Sequence, residues 1–484
     1  MDNVEPITDL SGIHEVHIVG IGGAGMSAIA RVLRGRGMKV HGSDRRASPI
    51  TSALETEGIT VAIGHRGGNI AAADLVLASS AVPDSNAELE AARSQGVRVA
   101  RRPGFLAALT SGYDVVAVAG AHGKTTVTGM IAMGLLEAGL EPTYIVGGVV
   151  SNLGTNAHAG QGPHFVIEAD EYRRTFLALE PRIAVVTNVE FDHPDCFPNL
   201  GHVRLAFGEF VDNIVSGGLL VACGDDEIAH AVAASHHARG GRVVLYGAAP
   251  GAELAWRAAD VHSNRHGGVS FTVEHEGQAL GEIELQIPGE FNAVNALACL
   301  AVFAELGIDW QDSVRALARF EGTARRFEVL GEVSQVTVID DYAHHPTQIR
   351  GVLQAARGRY GARRLVAVWE PHTFSRVRSL YSEFMAAFGD ADQVVVLPIY
   401  AAREIDDGTM TSRDLAREVQ HPSVWGAETL GAAVTYLSES SRPGDVVMMM
   451  GAGDEYLVGQ QLLEEMRRRS PNRSLYCDHS DGRT

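Results

Sequence analysis

The stretch Asp114-Val115-Val116-Ala117-Val118-Ala119-Gly120-Ala121-His122-Gly123-Lys124-Thr125-Thr126 decides the fold. Its valine and alanine run reads as a strand buried on both faces, as in a parallel sheet. The run passes straight into a glycine turn, and the turn into a lysine and two hydroxyls that open a helix. That is the layout of a nucleotide-phosphate loop. Val118 stands where the long form has glycine, so the loop is the shorter G-x-x-G-K-[ST]. The candidate ATP site is therefore Gly120, Ala121, His122, Gly123, Lys124, Thr125 and Thr126. Backbone amides would cradle the β-phosphate, Lys124 would reach the γ-phosphate, and the Thr125 hydroxyl would ligate Mg²⁺.

The lysine stands out against the rest of the chain. Of 40 basic residues only Lys39 and Lys124 are lysine. Arginine carries a planar fork of donors, whereas lysine offers a compact ammonium that fits among phosphate oxygens as a point charge. Lys39 has no comparable motif around it and reads as a surface residue.

At 484 residues the chain is too long for one ordinary core. Its 45% hydrophobic and 20% charged residues are those of a soluble globular protein, and no apolar run is long enough to span a bilayer. The opening Met1-Asp2-Asn3-Val4-Glu5-Pro6 lacks the segments of a secretory signal. Cys196, Cys223, Cys299 and Cys477 have no metal-type spacing and suggest no disulfide framework. A cytoplasmic location without membrane insertion is expected. The net charge of −19 argues against nucleic acid as a partner but not against an anionic small substrate held by local arginines.

Outward from the loop, three segments alternate strand with helix, which implies an α/β fold with parallel sheets covered on both faces. The first, residues 1–109, opens with the strand Glu15–Gly20 and has a helix near Gly25–Arg36 and strands near Met38–Gly42 and Leu75–Ser79. The second, 110–322, has strands near Phe165–Glu168 and Ile183–Thr187 and helices near Val203–Ile214 and Glu227–Ala234. It also holds an antiparallel excursion over Glu253–Gln286 and a helix over Gly289–Leu306. The third, 323–466, has strands at Val336–Ile339, Arg364–Val368, Gln393–Leu397 and Val446–Met450. Residues 467–484 read as a polar tail.

Gly20-Ile21-Gly22-Gly23-Ala24-Gly25 satisfies G-x-G-x-x-G between the first strand and its helix, and Asp44 lies where the second strand should end. Glycines there let backbone approach a diphosphate on a helix N-terminus. NAD, with Asp44 on a ribose hydroxyl, or any other nucleotide diphosphate would use the same physics. In the second segment, one strand ends in Glu168-Ala169-Asp170-Glu171 and another runs into Thr187-Asn188-Val189-Glu190-Phe191-Asp192-His193. Ligand sites in parallel sheets lie at the carboxyl ends of strands, so both acidic segments should converge on the phosphate loop.

Together with Ser79-Ser80-Ala81-Val82, Glu168–Arg174, Gly289-Glu290-Phe291-Asn292-Ala293-Val294-Asn295, Arg325-Arg326-Phe327, Asp340-Asp341-Tyr342-Ala343-His344-His345-Pro346, Pro371-His372-Thr373-Phe374-Ser375-Arg376 and Met450–Asp454, these motifs make the chain resemble the Mur ligase superfamily. The resemblance spans nearly the whole sequence. It implies an N-terminal Rossmann-like domain for a UDP-sugar, a central P-loop ATPase-type domain, and a C-terminal Rossmann-like domain. The implied reaction is ATP-dependent joining of L-alanine to the lactyl carboxylate of UDP-N-acetylmuramate through an acyl phosphate, in peptidoglycan precursor synthesis.

By residue, the resemblance implies UDP-sugar contacts at Gly20, Gly22, Gly23, Ala24, Gly25, Met26, Ser43, Asp44, Ser79 and Ser80. Mg²⁺ would be held by Thr125, Glu168 and His193. ATP would also meet Asn292, Asn295, Arg326 and Asp341, and L-alanine would meet Tyr342, His344 and Arg376. Lys124, Glu168, His193, Arg326 and His344 would carry the catalysis. A monomer or dimer is expected. Ala121 replaces a frequent threonine, Phe291 a frequent histidine, and Thr373 an arginine of some members. No lysine follows Lys124, so the carbamylated-lysine metal site of sister ligases is impossible here. A ligase that reattaches recycled murein tripeptide shares the same three domains and sugar nucleotide. A nicotinamide dehydrogenase would leave the phosphate loop, Glu168 and His193 without a task.

Overall fold

The structure, a computed structural model, describes residues 7, 9–251, 253–406 and 408–469. They form two compact units, one ending at Ala324 and one beginning at Arg325.

The first unit contains two sheets. The smaller is wholly parallel, with the strand order Thr60–Ile63, Lys39–Asp44, Glu15–Val19, Leu75–Ala78, Arg98–Arg101. Its central strand, Glu15–Val19, is buried from Val16 onward and feeds the glycine turn. The helix Ala24–Gly35 then covers one face with Met26, Ile29, Val32 and Leu33. Lys39 lies at the sheet margin, its side chain 73% exposed and its ammonium 2.9 Å from Glu15, as a surface lysine should.

The larger sheet has ten strands. Its parallel middle places Asp114–Ala119 between Ile183–Val186 and His164–Glu168. Val115 to Ala119 are all buried, which accounts for the unbroken apolar run that marked this strand. The expected antiparallel excursion is a three-stranded meander, Trp256–Ser263, Val269–His275 and Gln278–Glu284, at one edge. Near the other edge lies a strand that sequence reading passed over, Thr143–Val150, between His164–Glu168 and the edge strand Thr155–His158. Gly147-Gly148 inside it resembles a loop signal. Two largely apolar helices cover the phosphate-loop face, Lys124–Glu137 and Glu290–Glu305. They meet where the Cys299 sulfur lies 3.8 Å from the Val127 carbonyl and the Met130 sulfur.

The second unit is a six-stranded sheet ordered Glu328–Val333, Val336–Asp341, Val446–Met450, Leu365–Trp369, Gln393–Val396, Val424–Gly426. All neighbours are parallel except the first pair, a hairpin. Its two turn residues, Ser334 and Gln335, both have positive φ, as a tight hairpin matching strand twist requires. The final helix, Glu455–Arg469, takes in the first three residues of the expected tail; 470–484 lie outside the described residues. Among the described residues Cys196, Cys223 and Cys299 are free thiols, and Cys477 lies outside them. Among those residues no helix is long and apolar enough to cross a membrane.

Candidate active site

The glycine turn at the edge of the first sheet is held from behind. Gly20 and Ile21 donate their amides to the Ser43 carbonyl at 2.8 and 3.0 Å, and Gly22 donates to Asp44 Oδ2 at 2.9 Å. Asp44, expected on a ribose hydroxyl, thus has one carboxylate oxygen committed to the turn. Ser43 is fully buried, and its hydroxyl donates to Glu88 Oε2 at 2.5 Å, so it serves the turn through its carbonyl. Beneath lies a polar cluster that sequence reading did not find. His17 and His41 meet Nδ1 to Nδ1 at 2.9 Å, and Glu88 accepts from Ser43 and Asn69. Burial opposes the Glu88 charge, but His17, 3.6 Å away, with Ser43 and Asn69 outweighs it and holds the carboxyl at about 2. Ser79 and Ser80 follow the neighbouring strand, where Ser79 donates its amide to the Val19 carbonyl and Ser80 accepts from Arg173 at 3.1 Å. The candidate UDP-sugar residues Gly20, Gly22, Gly23, Ala24, Gly25, Met26, Ser79 and Ser80 thus share one strand-end region.

In the phosphate loop, the amides of Ala121 and His122 are taken by Asn188, through its carbonyl at 3.1 Å and its Oδ1 at 2.8 Å. Thr187 Oγ1 donates to the His122 carbonyl at 2.5 Å, and the His122 ring meets Glu190 at 2.5 Å. The loop is therefore stapled to the next strand end. The anion cradle falls to the first amides of the helix beginning at Lys124, which lack intrahelical acceptors. Gly123, at φ +81°, makes the left-handed step into that helix; a Cβ there would lie 2.7 Å from Asn295 Oδ1. Asn295 accordingly packs against the loop, and its Nδ2 donates to Asn292 Oδ1 at 2.9 Å. Both asparagines are buried beside the candidate nucleotide site.

Both acidic segments reach this loop. Glu168 ends its strand with Oε2 accepting from the Gly147 amide at 2.8 Å. A Cβ on Gly147 would lie 2.3 Å from that oxygen, so the carboxylate needs glycine at this position. The methyl of Thr125 approaches the adjoining Gly148, within 3.5 Å of where a Cβ would be. The Gly147-Gly148 step thus brings Thr125 and Glu168 to one place.

Lys124 Nζ donates to the Gly120 carbonyl at 2.5 Å and to both oxygens of Glu171, at 3.0 and 2.7 Å. Burial works against the ammonium, but Glu171, Glu168 and Asp170 outweigh it and hold its pKa above the ordinary value. Burial likewise opposes the Glu171 carboxylate; Lys124 and then His193 outweigh it and hold its pKa below the usual range. His193 Nε2 lies 3.5 Å from Glu171 Oε1. Glu171 joins Lys124 to His193. Sequence reading placed it in an acidic run without giving it a task, since its partners are 47 and 22 residues away.

The second unit gathers Arg326, Asp341, Tyr342, His344 and Arg376 near the ends of two of its strands. Asp341 accepts from the amides of Phe327 and Ala343, both at 2.8 Å, while burial pushes its carboxyl up to about 6. The Arg326 guanidinium lies 5.2 Å from the centre of the Tyr342 ring. His344 Nδ1 lies 2.8 Å from the Tyr342 carbonyl. A carbonyl only accepts, so this nitrogen carries a proton. Arg376 is buried, with Nη1 2.7 Å from His372 Nδ1.

A glycine turn over one parallel sheet, a phosphate loop with acidic strand ends on a second, and a third sheet with clustered arginine, histidine and aspartate define the architecture of an ATP-dependent acid–amine ligase. The chain belongs to the Mur ligase family: residues 15–114 match its catalytic domain, 118–303 its middle domain, and 325–453 its glutamate ligase domain. Within that family it is 44% identical over 458 residues to the UDP-N-acetylmuramate–L-alanine ligase of Renibacterium salmoninarum, covering 95% of this chain and 97% of that one. The enzyme of the same name from Caldanaerobacter subterraneus is 39% identical over 464 residues, 95% and 99% of the two chains. The crystal structure of UDP-N-acetylmuramate-alanine ligase from Thermotoga maritima superimposes with a TM-score of 0.79 at 30% identity, covering 94% of this chain and all of that one. A murein peptide ligase from Psychrobacter arcticus follows at a TM-score of 0.71 and 25% identity, covering 94% and 99%.

Proposed function

We propose that this chain joins L-alanine to the lactyl carboxylate of UDP-N-acetylmuramate, converting ATP to ADP and phosphate. The observation that carries the reading is the meeting of Lys124, Thr125, Glu168, Glu171 and His193 at one edge of the central sheet, in the same unit as the Gly20–Gly25 turn. One sheet edge offers amides for a diphosphate; the other offers an ammonium and amides for a triphosphate.

In the first step a lactyl carboxylate oxygen attacks the γ-phosphorus, the bond to the bridging oxygen breaks, and ADP leaves an acyl phosphate behind. Phosphoryl transfer needs positioning and charge neutralisation more than covalent help. Lys124 supplies a fixed positive charge at the loop, with its ammonium kept protonated by the surrounding carboxylates. Asn188 keeps the loop in one conformation, so the helix amides are already aimed when the nucleotide arrives. Arg326, in the second unit, carries a guanidinium suited to an anionic group.

The donor set of Thr125 hydroxyl and Glu168 carboxylate, joined at Gly147-Gly148, fits Mg²⁺, which takes one or two protein oxygens together with substrate phosphates. Thr125, Glu168 and His193 would hold it, and it would supply Lewis-acid neutralisation of the phosphate oxygens.

In the second step the uncharged amine of L-alanine attacks the acyl carbon and phosphate departs. His344, its ring oriented by the Tyr342 carbonyl, is suited to take the ammonium proton. Buried Arg376 is suited to the alanine carboxylate. Phosphate release from ATP, measured with UDP-N-acetylmuramate and each amino acid in turn, tests the reading. Release is expected to require L-alanine. Release only with murein tripeptide would assign the chain to the recycling branch, and release with neither would overturn the proposal.

A further inference from the structure

Arg102 begins the helix Arg102–Thr110, yet its side chain belongs to the glycine turn. A Cβ on Gly25 would lie 3.0 Å from its Cζ, 3.2 Å from Nη1 and 3.3 Å from Nε. The guanidinium therefore rests against the first turn of the helix Ala24–Gly35, whose opening amides lack intrahelical acceptors. A side chain at position 25 would crowd this guanidinium and push it from its present place. The Nε of Arg102 is buried without a hydrogen-bond partner, and Nη1 reaches Asp170 Oδ2 only at 3.4 Å. An ion pair this long, beside an unsatisfied buried donor, leaves much of the bonding capacity of a guanidinium unused. Asp170 lies between Glu168 and Glu171, so Arg102 stands between the sugar-nucleotide turn and the ATP loop of the same unit.

A helix N-terminus carries roughly half a positive charge, too little to balance a diphosphate. Three arginines nearby have other tasks, among them Arg173, which donates to the Ser80 carbonyl. Arg101 binds Asp84 and the carbonyls of Ser79 and Val82, and Arg31 binds Glu57 and Asn156. Arg45 and Arg46 are exposed. We infer that Arg102 is the cation that binds the diphosphate of the sugar nucleotide on the Gly20–Gly25 turn, with Asp170 holding it in place until that anion arrives. The planar fork suits two phosphate oxygens, and the close approach of Gly25 fixes its direction. The inference deepens the proposed function and rests on its UDP-sugar reading.

Calorimetric titration of the full chain with UDP and with uridine, for wild type, Arg102→Lys and Arg102→Met, tests it. The wild type should prefer UDP strongly. Arg102→Met should lose about 10- to 100-fold in UDP affinity, with uridine and ATP affinities unchanged, and Arg102→Lys should recover part of the loss. If Arg102→Met binds UDP as tightly as wild type, or loses uridine to the same extent, the inference is overturned while the UDP-sugar reading stands. A wild type that does not bind UDP overturns both.

Discussion

Glu171 clasps Lys124 with both carboxylate oxygens, at 2.7 and 3.0 Å, while its Oε1 also lies 3.5 Å from His193. A phosphate-loop lysine that must wait for its nucleotide is thus held by an internal anion. That same anion orients a histidine from the adjoining strand end. Glu171→Gln keeps the shape and removes the charge. It should lower kcat/KM for ATP by about 10- to 100-fold, the scale of one lost charge-assisted contact. Glu171→Asp should recover part of the loss. Steady-state phosphate release at varied ATP checks this, and an unchanged kcat/KM would show that Glu171 is a spectator.

Lys124→Arg keeps the charge but replaces a compact ammonium by a fork too wide for the space between Gly120 and Glu171. Turnover should fall by at least about 10³-fold, as for loss of a major transition-state contact. The melting temperature should stay near that of wild type. Near-normal activity in this variant would sink the reading of the loop.

Gly147→Ala places a methyl 2.3 Å from the present position of Glu168 Oε2. The carboxylate must swing away from the Gly147 amide and out of reach of Thr125. Weaker Mg²⁺-dependence of ADP binding is expected, together with a stability loss of about 1–3 kcal/mol from crowding a packed site. Calorimetry with and without Mg²⁺ separates the two effects. Retention of full Mg²⁺-dependence would remove Glu168 from the metal set.

In the second unit Glu370 is buried beside Glu455, and its Oε2 accepts from the Asp454 amide at 2.8 Å. Burial, with the neighbouring Glu455 carboxyl next, pushes the Glu370 carboxyl up to about 9. The folded chain therefore keeps a proton that the unfolded chain releases above about 4.5. Between those two values the unfolded state binds fewer protons, so this residue makes stability fall as pH rises, with no further loss above the folded value. Glu370→Gln mimics the protonated carboxyl. It should raise the melting temperature, by more at pH 8.5 than at pH 5, in parallel thermal scans. An equal shift at both pH values would contradict the raised pKa.

The fold was legible where local signals were strong. The glycine turns at Gly20–Gly25 and Gly120–Gly123 and the apolar strand between Asp114 and Ala119 each announce themselves within a dozen residues, and the antiparallel excursion shows as a longer polar, strand-rich stretch. The strand Thr143–Val150 was not legible, because Gly147-Gly148 serves the Glu168 carboxylate and in doing so erases the strand pattern. The candidate site was legible as a list of residue types but not as a network. That Asn188 takes the amides of Ala121 and His122, and that Glu88 collects Ser43 and Asn69 beneath the first turn, depends on chain segments meeting after long separations. No periodicity or spacing encodes such pairings.

The exposed pairing of Lys39 with Glu15 has a practical side. With the other lysine closed in by Glu171, the sequence offers one freely reachable side-chain amine. An amine-reactive dye or biotin should therefore mark one side chain only, Lys39 at the margin of the N-terminal sheet, besides the α-amine of the chain.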